Sequence, residues 1–424
     1  MNKNDNSFST SGQRLALTWM TRYLRSPAKA SDIRDNAGGA NDGPHAERRA
    51  RRLYSACLRN LRLYREILAP NVRRKPTPEV EAALLLALAE LHSDTDNRTP
   101  AIVDSWVNAA RKVGGAKAGG FANAVLRRAS SRLIKVMNGE ISFPPAVRFS
   151  HPDWLVARWV QQFGAMETER LLSWNQDTPA VYASPRESAS PIEGLCETRW
   201  RRFYRLSQGI SPELHDSLQN GDWTIHDPAT RIATDLLSAE QPEKVLDLCA
   251  SPGGKSRTLL SAPKGPNQLI SADRAERLDE LTANLAPWSD RVSTVAIDLE
   301  KPESLPADWE RSFDAVLLDA PCSNTGVIQR KPDVKWRITP EDIKKMPHIQ
   351  LAFLLQAARF VRPGGTLIYS TCSLEREENR DVADAFLESA PGQSFEMTAA
   401  IHALPTRTFH DGAGVYRFIR AMDR

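Results

Sequence analysis

Lys244-Val245-Leu246-Asp247-Leu248 runs without a break into Cys249-Ala250-Ser251-Pro252-Gly253-Gly254-Lys255-Ser256, and this stretch decides the fold. A short apolar run of this kind suits a strand buried on both faces of a parallel sheet. The proline and glycines that follow make a tight turn into a helix passing through Leu259 and Leu260. The same cycle then repeats. Strands are predicted at 244–249, 268–273, 292–298, 313–320 and 365–372, with helices between them and a last strand near 415–421. The alternation predicts a doubly wound α/β domain, whose ligands sit outside the carboxyl ends of the strands.

Glycines after the first strand let a ligand approach the backbone, and the helix behind them offers free amides. The loop lacks the first glycine of a Walker A sequence and the three spaced glycines of a dinucleotide fingerprint. Acids end the next strands: Asp273 the second, Asp298 the third and Asp319 the fourth. One strand-end Asp usually caps a helix, but the ordered set favours an adenosyl ligand, with Asp273 on ribose hydroxyls and Asp298 on an adenine amino group.

Two strands end in thiols. Asp319-Ala320-Pro321-Cys322-Ser323 follows Ala315-Val316-Leu317-Leu318, and Ser370-Thr371-Cys372-Ser373 follows Thr366-Leu367-Ile368-Tyr369. Both sulfurs face one crevice if these strands are neighbours, and paired thiols there point to covalent chemistry on an electrophile. The five cysteines, Cys57, Cys196, Cys249, Cys322 and Cys372, are odd in number and scattered. That argues against a disulfide framework or a zinc site and suits a reducing cytoplasm. Cys57 and Cys196 are expected to be small buried hydrophobes. The first eleven residues are polar, and no apolar run is long enough for a bilayer, so neither secretion nor membrane insertion is expected.

The 424 residues exceed one ordinary domain. A net charge of +4 hides an asymmetry: residues 1–150 carry 25 Lys and Arg against 13 Asp and Glu, a net +12. Such a field suits a phosphate-backbone partner. Residues 1–11 read as a disordered tail and 26–43 as a loose Ala/Gly/Asp/Asn segment. A helix is predicted at 13–25. A second, at 46–69, turns Leu53, Cys57, Leu61, Tyr64 and Leu68 to one side and Arg48, Arg49, Arg51, Arg52, Arg59, Arg62 and Arg65 elsewhere, either a solvated face or an RNA contact. Helices at 78–92 and 99–113, and another after Gly119-Gly120, complete an all-helical bundle. Pro144-Pro145 marks a linker, a helical segment runs from 151 to about 174, and 178–225 reads as a small mixed subdomain with strand-like pieces at 180–183 and 200–206. Arg199, Arg201, Arg202 and Arg205 form a second basic cluster there.

Ile102-Val103-Asp104-Ser105-Trp106-Val107 followed by Phe121-Ala122-Asn123-Ala124-Val125-Leu126-Arg127 resembles the NusB-type helical RNA-binding domain. The loop 247–256, Asp319-Ala320-Pro321-Cys322-Ser323-Asn324-Thr325-Gly326, Arg330-Lys331-Pro332-Asp333-Val334-Lys335-Trp336, and Tyr369-Ser370-Thr371-Cys372-Ser373 with Glu378-Asn379 resemble the Sun/Fmu family of RNA cytosine-5 methyltransferases, bacterial 16S ribosomal RNA branch. The resemblance implies a Rossmann-like class I methyltransferase domain at 226–424, a NusB-like domain at 12–143, and linker helices with a small α/β RNA-binding subdomain at 144–225. It implies S-adenosylmethionine as cofactor, held by Cys249, Ala250, Ser251, Pro252, Gly253, Gly254, Lys255, Asp273, Arg274, Asp298 and Asp319, with no metal.

By the same resemblance Cys372 attacks carbon 6 of cytosine, Asp319 binds the ring's nitrogen edge, and Cys322 assists release of the product. Reaching the base requires an unpaired or flipped-out cytidine. Arg330, Lys331, Lys335 and Trp336 are close enough in sequence to Cys322 to hold phosphates or stack on a base, with Trp336 equally a candidate for the core. Ser251 and Ser256 stand where the family more often has Ala and Thr, His226 where it has Gln, and Ala413-Gly414 where it has an aromatic pair. The last departure puts in doubt an aromatic contact from that loop. A catalytically silent RNA-binding assembly factor keeps the fold but has no need of both thiols; a DNA methyltransferase shares the chemistry but attacks with the thiol at Cys322.

Overall fold

The computed structural model describes residues 11–36, 43–186, 189–207, 209–238, 240–262 and 265–423. It divides into two compact units: one holds the chain up to Thr178 together with Ile328–Ile338, the other Pro179–Val327 and Thr339–Arg424.

The first unit is helical, with helices Ser11–Arg25, Ala30–Asp35, Gly43–Arg59, Leu61–Leu68, Pro78–His92, Thr99–Met137, Pro145–Arg148, Asp153–Phe163 and Ala165–Trp174. Pro78–His92 is its central rod. Residues Ala82 to Ala89 are all buried because this helix is apolar on every side. Each large side chain so buried contributes about 1.5–3 kcal/mol. One polar group is shared at the centre: Glu90 accepts from Gln13 Nε2 (3.0 Å), Arg49 (2.7 Å) and Trp106 Nε1 (2.7 Å), which ties four helices together. Thr99–Met137 turns sharply at Gly115, where φ is +78°. Residues 1–10 and 37–42, part of the tail and loose segment expected from sequence, lie outside the described residues. Within the supposedly loose stretch, Ala30–Asp35 is a helix with Ile33 buried.

The helix expected at 46–69 is broken at Asn60, and the reason is an eleven-residue strap. The chain leaves the second unit after Val327, runs through the first as Ile328–Ile338, and returns at Thr339. Helix Gly43–Arg59 ends with carbonyls that lack helical partners. Lys335 Nζ donates to Arg59 O (2.8 Å) and Trp336 Nε1 to Leu58 O (2.7 Å), so the strap caps that end. Arg59 in turn donates to Gln329 O (2.9 Å) and is buried. The arginine face is therefore largely spent within the protein. Arg62 pairs with Asp153 and Arg65 with Glu81, whereas Arg48 and Arg52 stay exposed. The phosphate-binding reading of Lys335 is corrected too, since Lys335 is fully buried, and of the two readings of Trp336 the core one holds, since it packs against the helical core.

The second unit contains two sheets. Strands β1 (Tyr182–Pro185), β2 (Leu195–Glu197), β3 (Tyr204–Leu206) and β4 (Trp223–Ile225) pair antiparallel in the order β2-β3-β1-β4. Cys196 is exposed on the edge strand β2, not buried as expected. The larger sheet comprises β5 (Lys244–Leu248), β6 (Gln268–Asp273), β7 (Val292–Ala296), β8 (Phe313–Asp319), β9 (Val361–Thr371), β10 (Phe395–Ala403) and β11 (Ala413–Arg420). Its order is β10-β11-β9-β8-β5-β6-β7; β11 pairs antiparallel with both β10 and β9, and the remaining pairs are parallel.

Successive residues of the central strands feed opposite layers. Leu246, Val316 and Tyr369 pack with Phe353, Leu354 and Phe386, while Val245, Leu317 and Ile368 pack with Leu237, Leu259 and Leu281. Both faces are thus covered by helices, as the unbroken apolar runs require. No helix among the described residues is long and apolar enough to cross a membrane.

Candidate functional site

All five parallel strands finish at one edge, since Leu248 is level with Ala272 and Leu318, Asp273 with Ala296, and Asp319 with Ser370. The register brings together the two thiols that the sequence left fifty residues apart. Cys322 Sγ lies 3.3 Å from Cys372 Sγ, and the Cys372 thiol donates to Asn324 Oδ1 (3.3 Å). Asn324 Nδ2 is bonded to Cys322 O (2.7 Å), so one amide spans both loops. Its φ of +62° lies in the left-handed region that Asn tolerates better than most residues. The hydrogen bond with Cys372, and then burial, push the Cys322 thiol well above its ordinary pKa.

A buried carboxylate clamps the two loops. Glu378 Oε2 accepts from Ser323 N (2.8 Å) and Gln350 Nε2 (2.9 Å), and Oε1 accepts from Ser373 Oγ (2.7 Å). Burial holds its pKa above the ordinary carboxylate value even though these hydrogen bonds oppose the shift. Gln350 also donates to Pro321 O (2.9 Å), and Asn379 Nδ2 donates to Ser373 O (3.0 Å) and Glu375 O (2.8 Å). Gly326 completes the arrangement. Its amide donates to Cys372 O and its carbonyl accepts from Gly412 N, each at 2.9 Å. A Cβ there would meet Cys372 O at 2.7 Å and Gly412 O at 2.8 Å, which leaves room only for glycine. Sequence reasoning noted Glu378 and Asn379 as neighbours of Cys372 but missed the clamp, and it missed Gln350 entirely. An acid two turns beyond a strand-end thiol was the only available signal.

The loop after β5 closes on β6. Asp273 accepts from Ser251 N (2.8 Å) and Arg274 N (2.7 Å), which fixes the turn while leaving lone pairs of the carboxylate for a ligand. Cys249 sits at φ +57° and Gly253 at φ +97°, bending the chain over the strand end. Asn284 Nδ2 holds Pro252 O (2.9 Å), and Ala250 is buried. Gly254 opens the helix Gly254–Leu260, and nothing lies within 4 Å of where its Cβ would stand, so the loop is a backbone cradle with free space beside it. Buried Asp247 accepts from Ser256 Oγ (2.5 Å), and its other oxygen has no partner. Burial raises its pKa to about 7. A cradle of this form, next to a strand-end acid, fits an adenosyl cofactor.

Three of the expected cofactor residues make polar contacts within the protein. Lys255 Nζ reaches Asp319 Oδ2, another of the expected set, at 2.6 Å. Asp298 lies two residues beyond β7, accepts from Glu300 N (3.0 Å) and lies near Lys301 (3.5 Å) and Arg274 (4.0 Å); these contacts hold it below the ordinary carboxylate value. Arg274 caps the next helix and pairs with Glu300. His226 lies between Ser184 Oγ (2.6 Å) and Thr258 Oγ1 (3.3 Å); burial lowers its pKa to about 3, so it works as a neutral link from the small sheet to the cofactor helix. Gly414 leaves no room for a side chain because Asn379 Oδ1 would be 1.8 Å from its Cβ, which accounts for the missing aromatic there. Among the described residues no group of three or more His, Cys, Asp or Glu could hold a metal ion.

A seven-stranded, mainly parallel sheet with an acid-lined glycine cradle and a functional edge at its strand ends defines a Rossmann-like methyltransferase. The crystal structure of PH0851 has the same fold over 97% of this chain and 99% of its own, with a TM-score of 0.76 and 19% identity. A methyltransferase homolog from Pyrococcus horikoshii covers 65% of this chain and 97% of its own, with a TM-score of 0.55 and 20% identity. Residues 234–408 match the family model of the 16S rRNA methyltransferase RsmB/F, and residues 19–131 match the NusB family. Ribosomal RNA small subunit methyltransferase B of Salmonella typhi is 32% identical over 294 residues, which cover 66% of this chain and 67% of that protein. The probable enzyme of that name from Bacillus subtilis is 29% identical over 76% of this chain and 75% of its own. The chain belongs to the RsmB/F methyltransferase family, and it is an RNA methyltransferase of the cytosine-5 class.

Proposed function

We propose that this enzyme methylates carbon 5 of a cytidine in 16S ribosomal RNA, in the cytoplasm, with Cys372 as nucleophile and S-adenosylmethionine as cofactor. Carbon 5 of cytosine is a poor nucleophile until something adds to carbon 6. Cys372 Sγ forms a bond to carbon 6, and the displaced ring electrons make carbon 5 nucleophilic. Asp319, held at 2.6 Å by Lys255, meets the nitrogen edge of the ring where charge develops. When bound on the cradle at Cys249 to Gly254 and Asp273, S-adenosylmethionine supplies an electrophilic methyl group. The proton left on carbon 5 is then removed, and the carbon–sulfur bond breaks as the double bond re-forms, returning Cys372. Cys322, 3.3 Å away, is placed to assist that release.

The observation that carries this reading is the pair of thiols on adjacent strand ends, 3.3 Å apart, with the Cys372 thiol anchored on Asn324 Oδ1. A silent binding protein would have no use for the pair, and adduct trapping distinguishes attack by Cys372 from the DNA-type attack by Cys322. Incubation with in vitro transcribed 16S rRNA and cofactor tests it. The variant Cys322→Ala is expected to accumulate an enzyme–RNA adduct that survives denaturing electrophoresis, and Cys372→Ala to give none. The reverse pattern overturns the assignment. Bisulfite sequencing of RNA from cells with and without the gene identifies the cytidine, and no change at any cytidine favours the binding protein.

A further inference from the structure

The loop bonded to the nucleophile presents an aromatic ring that the reaction does not use. Phe409 ends the short helix Pro405–Thr408 with φ +62° and ψ 28°, in the left-handed conformation where glycine is the usual residue. A bulky side chain is strained there, and with 43% of its surface exposed the ring gains little from burial. The Arg199 guanidinium lies over its face, 4.3 Å from the ring centroid and 5.8 Å from that of Trp200. Trp200 in turn packs on His410 at 5.9 Å. Arg199, Arg201, Arg205 and Arg407 are all exposed.

The patch is built onto the catalytic loops. Asp411 N bonds to Asp227 Oδ1 (3.0 Å), Gly412 N to Gly326 O and Gly326 N to Cys372 O, so two residues separate Phe409 from Gly412, whose amide is bonded to the Gly326 loop. An exposed aromatic interleaved with arginines is the surface on which single-stranded nucleic acid stacks its bases. We propose that Phe409 and Arg199 form a stacking platform for an unpaired RNA base next to the cytidine being modified. This rests on the RNA methyltransferase reading.

Phe409→Gly separates a ligand role from a structural one, because glycine relieves the backbone strain. The variant is expected to melt at a temperature equal to or above that of the wild type. In filter binding with in vitro transcribed 16S rRNA it is expected to weaken Kd about tenfold, or ~1.4 kcal/mol, with KM for RNA rising in parallel and kcat unchanged. Phe409→Trp is expected to stay within about twofold of wild type. Arg199→Met is expected to weaken binding less and to make the salt dependence of log Kd shallower by roughly 0.7, the loss of one phosphate contact on a single strand. Unchanged Kd and KM in Phe409→Gly would overturn the platform, and so would a loss that Phe409→Trp fails to rescue. If wild-type enzyme binds the RNA while Cys322→Ala traps no adduct, the catalytic assignment fails and the binding comparison still decides the platform.

Discussion

Two lysines follow two loops of the same domain sequence, and the protein uses them in opposite ways. Lys255 ends the glycine loop and lies 2.6 Å from the carboxylate of Asp319; its side chain is 17% exposed. Lys335, thirteen residues after Cys322, is fully buried in the helical unit with a backbone carbonyl as acceptor. Burial depresses both. For Lys255 the Asp319 charge outweighs it and holds the pKa above the ordinary value; for Lys335 there is no carboxylate to do so, the Arg59 charge adds to the effect, and the pKa falls well below. A buried cation is tuned by its counter-charge, so residue type and burial alone do not assign it to substrate, cofactor or core.

The largest effect expected from this contrast is on catalysis. Lys255→Met removes the counter-charge of Asp319 and is expected to lower kcat by roughly 10²–10³-fold, the range seen on losing one preorganised electrostatic group. The melting temperature is expected to change by only a few degrees. A variant that keeps full activity would break the contrast.

Lys335 is expected to respond in stability instead. Lys335→Ala leaves a cavity and strips a cap from Arg59 O, for a loss of about 2–4 kcal/mol in urea unfolding. Lys335→Met fills most of the same space without a buried charge but still strips the cap from Arg59 O, so it is expected to lose less than Lys335→Ala, about 1–2 kcal/mol.

The smallest effect is the sharpest in sign. With its folded pKa depressed, Lys335 binds more protons in the unfolded chain, so it makes stability rise with pH between its folded pKa and the ordinary lysine value. Lys255, with its folded pKa raised, contributes stability that is complete below the ordinary value and lost as pH climbs through the folded one. Unfolding free energies measured against pH in alkaline buffers are expected to lose the rising component in Lys335→Met and the falling one in Lys255→Met. Equal slopes in the two variants would contradict the pairing.

The sequence made the catalytic half legible because a doubly covered parallel sheet writes itself as uninterrupted apolar runs, and six of the seven large-sheet strands were found that way. The exception, β10, reads Phe-Glu-Met-Thr-Ala-Ala-Ile-His-Ala at the sheet edge, with mostly exposed or half-buried positions and no run to notice. The meeting of Cys322 and Cys372 followed from strand order. The Glu378 clamp did not, since its partners Ser323, Gln350 and Ser373 come from three separate segments. Lys335 was misread for a related reason: nearness to Cys322 in sequence suggested nearness to substrate, whereas the chain there belongs to another core. In the small subdomain β2 and β4 are three residues each, too short for periodicity to register.

The strap also fixes an order of events during synthesis. Helix Gly43–Arg59 is made early, but the residues that cap it, Lys335 and Trp336, leave the ribosome only after β5 to β8 have been translated. The interior of the helical unit is therefore complete only once Ile328–Ile338 has been made, and a copy truncated before residue 328 lacks part of that interior.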